Sequence, residues 1–268
     1  MEFPNINPTA FDLFGFEIKW YGISYAVSLV LALIFCKTLA KKYNKIKEKV
    51  FDDILIWVAL GIIVGGRIGY VFFYNFSFYM NNPKYIIIGI RDGGMSFHGG
   101  IIGVTLACLF FSRFRKVSFL YIMDIISCAA PIGLFFGRLA NFINSELWGK
   151  ETNFFLGIIF PNGGENPRHP TQLYEAFLEG IVLFILVNLF YENKNKYPGF
   201  TSGIFLLFYS IFRIFAEFFR EPDHHIGYLM EPYITTGIIL CLPMVVLGIV
   251  LILLNDRNRK NYKKQYKI

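Results

Sequence analysis

Long apolar runs dominate this sequence, and they restrict the chain to folds built for a lipid bilayer. A helix needs about 20 apolar residues to cross the hydrocarbon core. Runs of that length recur along the chain, at roughly 20–40, 52–74, 94–112, 119–141, 172–191, 200–219 and 232–254. Charged residues make up 17% of the chain, below the roughly 25% of soluble domains. The sequence therefore predicts an all-α polytopic membrane protein with seven transmembrane helices.

The basic residues are distributed unevenly between the two sides of these helices. Most of the 26 Lys and Arg residues fall in three loops and the C-terminal tail, around 37–49, 113–116, 194–196 and 257–267. Because cytoplasmic loops carry an excess of Lys and Arg, the N-terminus is predicted outside and the C-terminus in the cytoplasm. The loop 142–171 is then an extracytoplasmic cap region within a single domain, 1–268. No cleavable signal peptide is expected, because the N-terminus lacks a basic segment followed by an apolar one.

The remaining composition argues against several kinds of site. All four cysteines lie inside apolar runs without the spacing of a metal site, and are interpreted as small hydrophobic residues: Cys36, Cys108, Cys128 and Cys241. Neither a metal nor a cofactor is predicted. Orientation and contact with anionic lipid explain the short basic loops, and no nucleic-acid partner is expected.

The most informative polar motif is GRLANFINSELWG, residues 137–149, at the end of the fourth apolar run. Arg138, Asn141 and Ser145 are spaced i, i+3, i+7 and share a helix face if the helix persists that far. Asn144 and Glu146 follow closely. A helix cap or an arginine reaching to the interface explains one such residue. A dense set at membrane level instead indicates a functional site.

A second polar set lies on the sixth predicted helix. Tyr209, Arg213 and Glu217 are spaced i, i+4, i+8 along one helix face, and Arg220 follows. An ion pair between Arg213 and Glu217 that neutralises itself is the simpler explanation. However, Arg before Glu is the weaker i, i+4 order, so local helix stability explains the pair poorly.

A third arginine, Arg67, lies in the second apolar run, away from a ridge of glycines that predicts close helix packing: Gly61, Gly65 and Gly69. Three guanidiniums at membrane level suit a phosphate, because the planar fork binds it through two donors. The partners open to them are Glu146, Glu175 and Glu217, or an anionic ligand.

Three further features accompany these sets. His98 stands among glycines in DGGMSFHGGIIG, and is either a satisfied interior histidine or a base near neutral pH. Gly99 and Gly103 form a small-xxx-small pattern that helix packing explains. In RHPTQLYEA, Gln172 and Glu175 are spaced i, i+3 and lie on the same face of the predicted helix. Tyr21 begins the first run, where an interfacial aromatic belt accounts for it.

Taken together, these motifs resemble those of the bacterial phosphatidylglycerol–prolipoprotein diacylglyceryl transferases. GRLANFINSELWG fits the family signature, and GGRIGYVFFY, HGGIIG, RHPTQLYE and FREPD are similar to family motifs in the same order. The resemblance covers about residues 19–254. The chain departs from the family in two places. The loop between Gly149 and Arg168 is short, and His225 stands where the family has Gln. The histidine is either a neutral variation or changes a hydrogen bond at the site.

The resemblance implies a multi-pass enzyme of the bacterial cytoplasmic (inner) membrane with its active site toward the outer leaflet. The diacylglyceryl group of phosphatidylglycerol would move to the lipobox cysteine thiol in the signal peptide of a preprolipoprotein, giving a thioether and glycerol phosphate. By motif, Arg138 would hold the lipid phosphate and Arg213 would be the second essential cation. The other catalytic residues would be His98 and Tyr209. The substrate-binding set is completed by Tyr21, Asn141, Asn144, Glu146, Gly149, Gly99, Arg67, Glu175, Glu217 and Arg220.

The chemistry agrees with these roles. A thiol attacks as the thiolate, so a base such as His98, or the positive field of the arginines alone, would activate it. Cations aimed at the departing phosphate oxygen would stabilise its charge. Other readings are a different lipid-headgroup enzyme, which would need a nucleophile or metal cluster beside the arginines, and a transporter, which predicts charges in the cytoplasmic half and an internal repeat. A scaffold would not need three membrane-level arginines.

Overall fold

The computed structural model describes residues 1–43, 46–89, 94–192, 198–221, 228–230 and 234–266. For residues 73, 74, 97, 98, 228–230, 234, 236 and 255–266 it describes the backbone alone. The chain is mostly helical and forms two compact units. One consists of Met1–Phe35 and Asp124–Ile268, and the other of Cys36–Met123. The prediction of a single domain over 1–268 stays a prediction.

In the unit Cys36–Met123, two long helices pack through glycines. Helix α1 (Trp20–Tyr43) ends in this unit and is followed by α2 (Lys49–Tyr74), the short α3 (Phe76–Asn81) and α4 (Tyr85–Ile88), and α5 (Phe97–Arg115). A Cβ atom on Gly65 would lie 2.7 Å from Gly103 Cα, and one on Gly69 would lie 2.7 Å from Gly99 Cα. The predicted close packing of these glycines is therefore confirmed.

The other unit begins with a β-hairpin. Strands β1 (Thr9–Leu13) and β2 (Phe16–Lys19) pair antiparallel just before α1. Gly15 adopts φ +84° in the turn, and its N–H donates to Asp12 Oδ1 at 2.8 Å. A second hairpin joins β3 (Tyr228–Met230) and β4 (Ile234–Thr235). The expectation of an all-α fold is corrected by these two hairpins, of which the first precedes the first apolar run and the second ends at the start of the last one.

The helices of this unit are α6 (Phe119–Ile143), α7 (Thr171–Glu175), a π-helix (Ala176–Val182), α8 (Leu183–Tyr191), α9 (Phe200–Glu217) and α10 (Thr236–Tyr266). Gly203 of α9 packs against Gly248 of α10, and Gly180 of the π-helix packs against Phe135 of α6. A glycine at each crossing lets the helix backbones approach closely.

A buried carboxylate fixes the start of α9. Asp124 on α6 is 4% exposed. It accepts hydrogen bonds from the N–H groups of Gly199 and Ser202 and from the Ser202 hydroxyl, each at 2.8 Å. The first N–H groups of a helix have no partner inside it, so Asp124 supplies from a neighbouring helix the cap that α9 lacks in its own sequence.

The segment after α6 folds over the end of this unit. The bridges Gly149↔Arg220, Glu151↔Arg168 and Ile158↔Arg168 bind it to itself and to the chain after α9. The N-terminal ammonium donates to Gly157 O at 2.8 Å. Phe160 is fully buried among aromatic rings, those of Phe3, Phe142 and Trp148. The predicted cap region 142–171 is thus an ordered segment, and its extracytoplasmic side stays a prediction.

Six helices in the described part of the chain are long and apolar enough to cross a membrane: Trp20–Tyr43, Lys49–Phe72, Phe119–Ile143, Thr171–Tyr191, Phe200–Glu217 and Gly237–Leu254. Many of their apolar side chains are exposed, such as Val246 at 61% and Leu253 at 59%, as expected where lipid covers the surface. The polytopic membrane class is confirmed. The segment predicted at 94–112 forms α5, which is not among the six.

Candidate active site

The motif GRLANFINSELWG ends helix α6 and turns the chain back on it. Ser145 adopts φ +53°, and the Ser145 and Glu146 N–H groups donate to Phe142 O and Asn141 O. This is the Schellman arrangement of a helix C-terminus. The predicted helical face of Arg138, Asn141 and Ser145 is therefore wrong at its last member, because α6 ends at Ile143.

The turn places a carboxylate beside two amides. Asn141 Nδ2 donates to Glu146 Oε1 at 2.8 Å, and Asn144 Nδ2 reaches the same oxygen at 3.3 Å. Gln172, fully buried on α7, donates to the Glu146 backbone carbonyl at 2.6 Å. Glu146 was expected among the arginines' partners, but the asparagines hold it instead.

Two carboxylates face Arg138 from the next helix. Glu175 ends α7 and Glu179 lies in the π-helix, and neither side chain is exposed. Arg138 Nε lies 2.8 Å from Glu175 Oε2, and Arg138 Nη2 lies 3.3 Å from Glu179 Oε2. Like charges four residues apart destabilise an isolated helix, so the arginine stabilises this pair. π-Helical turns inside helices are frequent at functional sites.

Helix α9 brings the second arginine to the same carboxylates. Arg213 Nη1 lies 2.5 Å from Glu175 Oε1 and 3.9 Å from Glu179 Oε1, while Nη2 lies 2.5 Å from Glu217 Oε1. Thr235 donates its hydroxyl to Glu217 Oε2 at 3.0 Å. The predicted ion pair of Arg213 and Glu217 is present, but it belongs to a larger network.

Arg220 completes this network, with Nη1 3.4 Å from Glu175 Oε1. Three arginines and three glutamates thus form one buried cluster: Arg138, Arg213, Arg220, Glu175, Glu179 and Glu217. The side chains are 15% exposed at most. Buried ions are stable only when they are paired and hydrogen-bonded, and here each arginine is paired within the cluster.

Two predicted tyrosines lie near the cluster. Tyr209 on α9 is 4% exposed, stacks on Phe205, and is within electrostatic range of Glu179, Arg213 and Arg138. Tyr21 at the start of α1 shares a hydrogen bond with Tyr25 at 3.1 Å and is within electrostatic range of Glu146 and Arg138. The structure thus brings together residues that are far apart in sequence.

Gly149 has a packing reason to be glycine. A Cβ atom there would collide with Phe219 O and would lie 2.7 Å from His169 Cβ. Its N–H donates to His169 O at 2.8 Å. Partial burial lowers the pKa of His169 below its usual value. Arg168 donates to Gly149 O at 3.3 Å, so the two ends of this segment are bound together beside Arg220.

The other predicted site residues lie in the unit Cys36–Met123. Arg67 is 3% exposed and donates to the carbonyls of Ile86 at 2.8 Å, Tyr85 at 2.6 Å and Gly94 at 3.2 Å. Its guanidinium also lies 5.1 Å from the ring centre of Tyr79. These contacts give Arg67 a structural explanation, and its predicted contact with substrate stays a prediction.

His98 and Gly99 begin α5. Gly99 packs against α2, as its spacing predicts, and its binding role stays a prediction. The backbone of His98 is helical, while its side chain lies outside what the structure describes. His224 and His225 also lie outside the described residues.

Sequence reasoning missed Glu179 and Asp124. Each is a carboxylate in an apolar run, in EAFLEGIVLF and IMDIISC. An intramembrane acid is costly, and that signal alone could have identified both. The two carboxylates have different roles. Glu179 belongs to the buried cluster, and Asp124 caps the helix that carries Arg213.

Comparison with known proteins agrees with the motifs. The chain matches the family described as prolipoprotein diacylglyceryl transferase over residues 8–254. The phosphatidylglycerol–prolipoprotein diacylglyceryl transferase of Brucella anthropi is 46% identical over 258 residues, covering 93% of this chain and 92% of that protein. Proteins of the same name from Brucella canis and Brucella ovis are each 47% identical with the same coverage. The chain therefore belongs to the prolipoprotein diacylglyceryl transferase family.

Proposed function

We propose that this protein transfers the diacylglyceryl group of phosphatidylglycerol to the lipobox cysteine of a preprolipoprotein, the first step of bacterial lipoprotein maturation. Family membership supports the reaction, and the names of the relatives contain both substrates. The observation that carries the proposal is the buried cluster, in which arginines of two apolar helices converge on shared glutamates.

The phosphate of the lipid binds at Arg138 and Arg213. Each guanidinium has five N–H donors. Among the described residues, the ion pairs of Arg138 use Nε and Nη2, so Nη1 is available to donate to a phosphate oxygen. The glutamates hold both forks in position before the lipid arrives, and such preorganised donors need little rearrangement during the reaction.

The reaction joins sulfur to carbon and separates carbon from a phosphate oxygen. The thiolate attacks the terminal glyceryl carbon of the diacylglyceryl group, and the electron pair of the broken bond stays on the phosphate. Negative charge therefore grows at that oxygen, and the arginines stabilise it in a site poor in water. The products are the thioether and glycerol phosphate.

His98 activates the thiol as a base in this proposal, because imidazole gains and loses a proton near neutral pH. The positive field of the arginines alone is the competing explanation. Replacing His98 by Gln separates the two: a fall in turnover of about 100-fold is expected for a base, and near-normal turnover would assign activation to the arginines.

The remaining residues shape the substrate pocket. Tyr21, Tyr209 and the amides around Glu146 border the arginines and contact the headgroup. Gly149 keeps the segment after α6 close to the chain after α9. Arg67 and Gly99 are retained as substrate-binding residues on the strength of the family motifs.

The protein spans the bacterial cytoplasmic membrane seven times, because α5 crosses it in addition to the six long apolar helices. The N-terminus is outside, and the active site faces the outer leaflet. The asymmetry of Lys and Arg supports this orientation. A reporter that fluoresces only in the cytoplasm should be active when fused after Ile268. A fluorescent fusion at the N-terminus would contradict the orientation.

The decisive test supplies purified protein with phosphatidylglycerol and a lipobox peptide and measures glycerol phosphate. The wild type should release it only when the peptide is present, and Arg138→Ala should lose this activity. Arg115→Ala is the matched control, since this half-exposed arginine pairs with Asp53 outside the buried cluster. Release without peptide would indicate a headgroup hydrolase, and no release at all would overturn the transferase.

A further inference from the structure

Glu179 is the carboxylate that the arginines of the buried cluster hold least closely. Its nearest cationic nitrogens are Arg138 Nη2 at 3.3 Å and Arg213 Nη1 at 3.9 Å. Among the described residues, no hydrogen-bond donor reaches Glu179 Oε1, although the side chain is fully buried. Glu175 Oε2 also lacks a directed hydrogen bond among the described residues, but Glu175 is held by three arginines, with nitrogens at 2.5 Å, 2.8 Å and 3.4 Å.

Glu217 is also held more firmly than Glu179. It pairs with Arg213 at 2.5 Å and accepts the Thr235 hydroxyl at 3.0 Å. A carboxylate with close donors favours its charged form, and one in an apolar setting with few donors favours its neutral form. Of the three glutamates, Glu179 is therefore the one most readily protonated.

Protonation of a glutamate would change the charge balance of the buried cluster. Three arginines and three glutamates balance when all six are ionised. A bound phosphodiester adds one negative charge, and an uncompensated buried charge is costly. One proton on a glutamate restores the balance.

The other groups around Glu179 leave this count unchanged. Besides Arg138 on α6, Arg213 on α9 and Glu175 on its own helix, Tyr209 and Cys241 are within electrostatic range. Phenols and thiols are ordinarily neutral at pH 7. The proton therefore goes to a carboxylate, and contact geometry selects Glu179.

We propose that Glu179 takes up a proton when phosphatidylglycerol binds and donates it to the phosphate oxygen that leaves carbon. The proposal rests on the function proposed above. As the carbon–oxygen bond breaks, its electron pair stays on the phosphate oxygen and the Glu179 proton moves to that atom. Glycerol phosphate leaves as a monoanion, with the charge that the phosphodiester had. Glu179 returns to a carboxylate, while the thiol proton passes to the base that activates sulfur.

The proton can be observed directly by infrared difference spectroscopy of the whole protein in nanodiscs. Adding phosphatidylglycerol without peptide should produce the C=O stretching band of a neutral carboxylic acid, identified by its shift in heavy water, which the ester bands of the lipid do not show. The band should be absent from Glu179→Gln. A purely structural role for Glu179 would not produce a band that depends on the lipid.

Kinetics provide the second measurement. Glu179→Gln keeps the shape of the side chain but cannot give up a proton, so kcat should fall about 100-fold while KM for phosphatidylglycerol does not rise. Glu179→Asp retains an acid and should recover part of the loss. Glu192→Gln, an exposed residue just after α8, is the matched control and should turn over normally. Thermal unfolding in detergent establishes that each variant is folded.

The possible failures are distinguishable. An active wild type without the lipid-dependent band, or with a band that persists in Glu179→Gln, overturns this proposal alone. So does a folded Glu179→Gln whose kcat stays within about threefold of the wild type, far less than general acids contribute. A wild type that releases no glycerol phosphate overturns the proposed function, and this proposal with it.

Discussion

Arg67 and Arg213 show two different ways to bury an arginine in this protein. Among the described contacts, the Arg67 guanidinium donates to three backbone carbonyls and lies against the Tyr79 ring. Arg213 instead pairs with carboxylates, at 2.5 Å on each of two nitrogens. Carbonyls are fixed parts of the backbone, whereas a carboxylate can rotate or take a proton.

The difference teaches what each arginine can do. The carbonyls bind Arg67 to the segment that contains α3 and α4 and the residue Gly94, which is a contribution to structure. In the proposed reaction a phosphate joins the carboxylates around Arg213, and no charge is left unmatched if one glutamate is neutralised. We therefore expect Arg67 to contribute mainly to structure and Arg213 to contribute mainly to the reaction.

The largest effect is expected for Arg213→Lys. Lysine keeps the positive charge but lacks the planar fork, so it cannot hold Glu175 and Glu217 from two nitrogens at once. Glycerol phosphate release should fall about 100- to 1000-fold, as for the loss of a transition-state donor. Arg115→Lys serves as the control. Retention of more than a tenth of the activity would show that charge alone suffices.

Next in size is the destabilisation by Glu175→Ala. Removing this carboxylate leaves Arg138, Arg213 and Arg220 without their shared partner, and breaking a buried ion network costs about 3–5 kcal/mol. Unfolding in a denaturing detergent would measure the loss. Glu151→Ala, which removes the exposed partner of Arg168, should cost at most about 1 kcal/mol. Equal losses of unfolding free energy in the two variants would show that the buried cluster stabilises the protein no more than an exposed ion pair does.

For Arg67→Lys the expected loss is smaller, about 1–3 kcal/mol, because some carbonyls keep no donor. Turnover per folded molecule should fall less than in Arg213→Lys. The measurement is unfolding together with activity, normalised to folded protein. A fall in turnover as large as that of Arg213→Lys, with unchanged stability, would show that Arg67 contributes as much to the reaction as Arg213 and would end the contrast.

The smallest effect is expected for Asn141→Ala. Glu146 would lose one of two amide donors, for about 1 kcal/mol of stability. Asn144→Ala removes the longer contact and should cost less. The ranking of the two variants by thermal unfolding checks whether the 2.8 Å bond is the stronger hold on this carboxylate.

The sequence predicted the arginines better than their surroundings. Arg138 and Arg213 were identified because charge in an apolar run is costly, and Glu175 and Glu217 are indeed partners. Glu179 belongs to none of the motifs, and its contacts depend on how α6 packs on the π-helix. No local pattern predicts that π-helix.

Local sequence patterns also failed to predict where some helices begin and end. The face through Ser145 assumed a continuing helix, but the left-handed turn there ends α6. The cap of α9 comes from Asp124, far away in sequence, so no pattern around Gly199 could reveal it. Apolar periodicity predicts which segments are helices, while tertiary contacts decide where several of them end.

Asp124 has a consequence for how the protein can evolve. It fixes α9 at Ser202, and Glu175 fixes the same helix at Arg213. One inserted residue between these points would turn the far end by about 100° and advance it about 1.5 Å, separating Arg213 from Glu175 while the cap held. The stretch of α9 between its two anchors therefore acts as a spacer of fixed length, in which an insertion or deletion would separate Arg213 from its carboxylate partner.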